Sequence, residues 1–157
     1  MPALGVRLTL RIKVPHLAVR SLFAEATPQG ATLCCKHLEK GFEMADLQAA
    51  AKRVARFREV MAQRGYDAVV LRHNPDLRWL TDAERTFDFE QAHTAFITQD
   101  ELFMHTDSRY YNTFLERLGA DSPWKFDQEV TTPTEWVAAH IAEARARVVA
   151  IEDTVDL

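Results

Sequence analysis

Residues 53–81 read RVARFREVMAQRGYDAVVLRHNPDLRWLT, and the order of the signals within them decides the fold. The first part continues an amphipathic pattern that begins upstream at Asp46, whose side chain is placed to cap a helix. Leu47, Ala50, Ala51, Val54, Phe57, Val60 and Met61 fall on one face of that helix. Gly65 stands where a helix ends in the left-handed conformation, which glycine enters without a Cβ penalty. Ala68-Val69-Val70-Leu71 is then an unbroken apolar run, as expected of a strand covered on both faces. Asn74-Pro75 signals a second, short helix in which the Asn side chain caps and proline takes the first position. That helix carries Leu77, Trp79 and Leu80.

Toward the C-terminus the signals keep alternating. Ala92–Thr98 and Glu101–Thr106 are strand-like and joined by Gln99-Asp100, which predicts a β-hairpin. Ser108 is placed to cap a helix whose Tyr111, Phe114, Leu115 and Leu118 form a stripe ending at Gly119. Trp124–Val130 reads as a further strand. Thr132-Pro133-Thr134-Glu135 combines a capping box with proline at the first helical position. The helix it starts is expected to reach Arg147, with Val137, Ile141 and Ala144 inward and Glu143 one helical turn before Arg147. Val148–Glu152 is a last short strand. Helices interleaved with strands, plus one hairpin, predict an α/β fold: a mixed β-sheet with flanking helices.

The chain has 157 residues, 47% apolar and 27% charged, which fits a globular protein with room for a core. No apolar run approaches the roughly 18 residues needed to span a bilayer, and no membrane partner is expected. The net charge of −4 gives no reason to expect nucleic acid. Residues 1–43 nevertheless carry six Lys/Arg and three Asp/Glu, against thirteen and twenty in residues 44–157. The chain therefore divides into a leader of uncertain status, 1–43, and a domain, 44–157. Val6, Leu8, Leu10, Ile12 and Val14 alternate with polar residues as in a strand, and the continuous apolar segment of a secretory signal is missing. An authentic extra strand and a dispensable leader placed upstream of a true start at Met44 both stay open; an organelle-targeting segment is less favoured. The two cysteines, Cys34 and Cys35, are adjacent, where a disulfide is strained, and show neither CxxC nor zinc-ligand spacing. They read as ordinary thiols in a reducing, cytoplasmic setting.

Three blocks occur in order: Gly65-Tyr66-Asp67-Ala68-Val69-Val70, Asn74-Pro75-Asp76-Leu77-Arg78-Trp79-Leu80-Thr81, and Thr106-Asp107-Ser108-Arg109-Tyr110. With a hairpin between the second and third, they resemble the N-terminal domain of the creatinase/prolidase/aminopeptidase P family. That family shows Gly-x-Asp-Ala, Asn-x-x-x-x-Tyr-Leu-Thr-Gly and Thr-Asp-x-Arg-Tyr at these places, and Ile151-Glu152 is similar to its strand ending in Glu. The resemblance covers Asp46 to Leu157. Trp79 departs from the commoner Tyr, and Asp82-Ala83 stands where Gly-Phe is usual. Aspartate tolerates φ > 0 less well than glycine, so the turn there is expected to differ.

The resemblance implies a ribonuclease H-like topology and a non-catalytic N-terminal domain of a pita-bread metallohydrolase. An Xaa-Pro peptidase (aminopeptidase P or prolidase) is the first reading, and a creatine-type amidinohydrolase is an alternative. In such enzymes two aspartates, a histidine and two glutamates hold two divalent ions (Mn, Co or Zn) in a C-terminal catalytic domain. Those ligands are expected beyond Leu157, so no hydrolysis, catalytic residue, cofactor or metal is expected of these residues alone. The implied partners are the chain's own catalytic domain and further copies in a homo-oligomer. A reading from a different class makes the chain an autonomous binding or dimerisation module. The family's N-terminal domain can present residues to a neighbouring subunit's active-site mouth. Carried over, that points to Asn74–Thr81, Arg85–Glu90 and Asp107–Tyr110. Asp76, Trp79 and Arg109 are the candidates for substrate access or an inter-subunit contact, since Trp can line a pocket and Arg can pair with a carboxylate. Phe87 or Phe89, flanking Asp88, is expected at a subunit interface.

Local chemistry is sparse. His105 and Asp107 are two apart on a strand and share a face, but two ligands without a third make a poor metal corner, and Asp107 is better read as ordering a helix start near Arg109. His73, Asn74 and Asp76 form a polar cluster after a strand, where sites in α/β sheets often lie, although a capping Asn74 accounts for part of it. His16, His37, His93 and His140 are scattered, with no HExxH, no GxSxG and no glycine-rich phosphate loop.

Overall fold

The computed structural model describes residues 12–14, 45–83, 86–87, 90–127 and 131–152. The strands are β1 (Ile12–Val14), β2 (Ala68–Leu71), β3 (His93–Thr98), β4 (Leu102–Thr106), β5 (Trp124–Asp127) and β6 (Val149–Glu152). The helices are α1 (Leu47–Arg64), α2 (Asn74–Thr81), α3 (Ser108–Leu118) and α4 (Pro133–Glu143). All strands join one six-stranded sheet in the order β1-β6-β2-β3-β4-β5. β1, β6 and β2 run parallel, β3 is antiparallel to both neighbours, and β5 is parallel to β4. The mixed sheet expected from the alternating signals is therefore present. Of the leader's alternating stretch only Ile12–Val14 is described, paired with Ala150–Glu152, and residues 1–11 and 15–44 lie outside the described residues.

The unbroken apolar run of β2 has a direct cause. Val69 and Leu71 face one core with Phe57 and Met61 of α1, Leu77 and Leu80 of α2, and Phe114 and Leu118 of α3. Ala68 and Val70 face the other core, with Phe96 of β3 and Trp136 and Val137 of α4. Three helices thus cover one side of the sheet and one covers the other, so β2 has no wet face to require polar residues. Each large apolar side chain buried in this way contributes roughly 1.5–3 kcal/mol.

The helix ends explain most of the boundaries. Asp46 caps α1 by accepting from the Gln48 and Ala49 N–H groups, and Gly65 closes it at φ 69°. Asn74 does not cap α2. His73 is the capping position, and the Asn74 amide instead donates to the Glu90 carbonyl at 2.9 Å, which ties it to a loop rather than to its own helix. Asp107, not Ser108, caps α3, because its carboxylate can accept from the Arg109 N–H at 2.9 Å. The capping box of Thr132 and Glu135 is formed. α4 stops at Glu143, one turn short of the expected Arg147. Arg145 turns left-handed (φ 51°), and Ala146 and Arg145 donate to the carbonyls of Ile141 and Ala142 in a Schellman pattern. The helical register that would pair Glu143 with Arg147 is therefore lost. Ala51, Leu115 and Ala144, expected inward, are exposed, and Trp136 is buried in place of Ala144. Of the pair Phe87 and Phe89, one of which is expected at an interface, Phe87 lies in the core beside Phe114 and His93, and Phe89 is outside the described residues. The strand expected over Trp124–Val130 is described to Asp127.

Candidate functional site

The strand directions put the ends of β2, β4, β5 and β6 and the start of β3 on one edge of the sheet. In α/β sheets this carboxyl-end edge is where ligands usually bind. Leaving β2, the chain turns sharply into α2, and the turn is held by an acid from the neighbouring strand. Glu152, the last residue of β6 and 2% exposed, accepts through Oε2 from the N–H groups of Arg72 (2.8 Å) and His73 (2.9 Å). His73 Nδ1 lies 2.9 Å from Asp76 Oδ2 and 3.9 Å from Glu152 Oε1. Asp76 is 5% exposed and sits in the first turn of α2, so its side chain is directed inward to this cluster.

A second group is built around Glu90. Its carbonyl accepts from Asn74, and its carboxylate accepts from Arg109 Nη2 at 3.0 Å and from the Tyr110 hydroxyl at 3.4 Å. Arg72, just before α2, and Arg78 within it donate to the Gln91 and Phe87 carbonyls at 2.8 Å each. Hydrogen bonds from the Arg109 side chain, then from its backbone N–H, hold the Asp107 carboxyl below the usual range, and Asp107 followed by Glu90 raises the Arg109 guanidinium further. Three segments distant in sequence (the α2 start, the loop before β3 and the α3 start) therefore meet at Glu90.

Residues 53–156 match the sequence model of the Creatinase/Prolidase N-terminal domain. The chain belongs to that family. No curated protein sequence matches it. Among solved structures it is similar to the aminopeptidase P (Xaa-Pro aminopeptidase) of Streptococcus thermophilus, at 20% identity and a TM-score of 0.57, over 69% of this chain and 77% of that one. It is similar to an Xaa-Pro dipeptidase from Bacillus anthracis at 19% identity and TM-score 0.57, over 68% of this chain and 28% of that one. The N-terminal domain of the cytoplasmic peptidase PepQ from Mycobacterium tuberculosis aligns at 18% identity and TM-score 0.52, over 66% of this chain and 75% of that one. At these identities the likeness is one of fold, the creatinase/prolidase N-terminal domain fold seen in Xaa-Pro peptidases.

Within this family domain the three candidate residues take different positions. Trp79 is 36% exposed, its ring 5.7 Å from the Arg53 guanidinium, and Arg53 also donates to the Trp79 carbonyl. Arg109 is exposed in the Glu90 group, whereas Asp76 is buried against His73. The turn after α2 places Asp82 in the left-handed region (φ 58°), and the Asp82 carboxylate accepts from the Asp46 N–H at 2.9 Å and from Arg53 at 2.7 Å.

Two of the other described histidines, His93 and His105, sit in packed surroundings. His93 is buried, 2.8 Å from the Thr106 hydroxyl, and His105 stacks on Trp136 with 5.2 Å between ring centroids. His105 and Asp107 form no metal corner, since Asp107 turns to α3. Among the described residues, His73, Asp76 and Glu152 are the group of His, Cys, Asp or Glu side chains placed to hold an ion. A three-ligand set does not fit the five-ligand, two-ion centre implied for the family's hydrolases, so no hydrolytic step is derived from it. Sequence reading missed Glu152 as a partner of His73. The available signal was an acid ending an apolar strand, which must find donors when buried.

Proposed function

We propose that this domain is the non-catalytic N-terminal part of an Xaa-Pro peptidase, supporting assembly of the oligomer and access of substrate to a metal centre supplied by a catalytic domain. The match to the family over residues 53–156 is the observation that carries this reading. The convergence of the α2 start and the α3 start on Glu90, with Arg109 and Trp79 exposed, supports the part concerned with contacts. A fork-shaped guanidinium suits a partner carboxylate, and an exposed indole suits an apolar or proline ring. Incubating the 157-residue chain with a Gly-Pro or Xaa-Pro substrate and Mn2+ is expected to release no product; measurable turnover would overturn the non-catalytic assignment. Sedimentation of the same chain tests the assembly role. Association that is weakened by Trp79→Ala or Arg109→Ala supports it, and a monomer at all concentrations refutes self-association through this domain.

A further inference from the structure

We propose that His73, Asp76 and Glu152 form a binding site for one divalent transition-metal ion of the Zn2+ or Mn2+ type. Their ligand atoms all lie within 4.8 Å of one another, although the residues come from the end of β6, the β2–α2 turn and the first turn of α2. Metal–ligand bonds of about 2.0–2.2 Å place donors up to roughly 4.4 Å apart across one ion, so the three need only small side-chain adjustments to converge.

The second observation is Glu152 itself. Its side chain is 0% exposed, and Oε2 is fully engaged by two backbone N–H groups. Oε1 accepts no hydrogen bond from any described residue, and it points into the cluster, 3.9 Å from His73 Nδ1. A buried carboxylate oxygen without a donor costs on the order of 1–3 kcal/mol or more, which a bound cation removes. The clamp on Oε2 also fixes the carboxylate plane, so the two backbone donors pre-orient the oxygen that faces the site. Entry is from the His73 side, where the imidazole is 20% exposed.

The donor set selects the ion. One imidazole nitrogen with two carboxylate oxygens suits Zn2+ or Mn2+, whereas Ca2+ and Mg2+ prefer all-oxygen shells with more ligands. Waters complete the coordination on the exposed side.

The test uses the full chain with Cys34→Ser and Cys35→Ser introduced, which removes the only thiols as competing ligands. Calorimetric titration with ZnCl2 or MnCl2 is expected to give one equivalent bound, with Ca2+ much weaker. Glu152→Gln and Asp76→Asn keep size and should lower affinity by about tenfold or more. A second measurement needs no variant: substoichiometric Mn2+ should first broaden the amide resonances of Arg72, His73, Asn74 and Asp76 and of Ala150–Glu152. Affinity unchanged in both variants, no binding at millimolar ion, or broadening centred on other residues would each overturn the site.

Discussion

The two ends of the β2–β6 strand pair are closed by the same device in different surroundings. At one end Asp67, just before β2, accepts through Oδ2 from the N–H groups of Arg147 (2.7 Å) and Val148 (2.8 Å), just before β6. At the other end Glu152, closing β6, accepts from Arg72 and His73, just after β2. Each carboxylate ties two consecutive backbone donors of the neighbouring parallel strand. Asp67 is exposed, at the mouth of an open groove of about 850 Å3 shared with Asp100, His140 and Arg145. Glu152 is buried and shares its space with His73 and Asp76. Water replaces the first clamp more readily than the second, whose acceptor is buried. A shared hydrogen-bond pattern therefore serves as a strand tie at one edge and creates a demanding polar interior at the other.

The sharpest way to break this comparison is to remove each acid in turn. Glu152→Ala removes a buried acceptor from two part-buried N–H groups and is expected to cost about 3 kcal/mol in urea unfolding. Asp67→Ala removes equally short bonds, but its donors can hydrate, so a loss of only about 1 kcal/mol is expected. Equal losses would mean that burial does not separate the two clamps.

A similar loss, about 1 kcal/mol, is expected for Gly65→Ala, next to the Asp67 clamp. Nothing lies within 4 Å of the added Cβ, so the cost belongs to the left-handed backbone alone. Gly65→Asn, whose side chain tolerates that conformation, should therefore lose less in the same unfolding experiment. An Asn variant as unstable as the Ala one would point to a steric cause and sink the backbone account.

What could be read in the sequence follows the same division between local and distant causes. The α1 cap at Asp46, the Gly65 stop and the Thr132 capping box are set by residues within one helical turn, and their pattern was legible. The doubly covered β2 was legible because burial on both faces leaves an unbroken apolar run. Asn74 misled because a capping residue and a loop-binding residue look alike until Glu90 is brought beside it. The early end of α4 was hidden because Arg145 takes a conformation usually left to glycine. Nothing local to Glu152 shows that it reaches residues some 80 positions earlier in the chain. The family blocks marked Asp67 and Glu152 as recurrent, and the structure supplies the reason, since both close the central parallel pair.

The smallest effects belong to exposed carboxylates, which test the hydrated side of the comparison. Hydrogen bonds from Arg109 hold Asp107 below its ordinary value, and the Thr132 side chain followed by its backbone N–H does the same for Glu135. Each group's folded value lies below its unfolded one. Each therefore favours the folded state fully above the unfolded value, and that contribution fades as pH falls through the folded value. With unfolded values of about 3.9 for Asp and 4.3 for Glu, the loss sets in below roughly pH 5. Asp107→Asn and Glu135→Gln can still form the cap hydrogen bonds while removing the charge. Their stability should differ from the parent most at neutral pH and approach it in acid. A difference that stays constant from neutral pH down to about pH 3 would assign these caps to hydrogen-bond geometry rather than to charge.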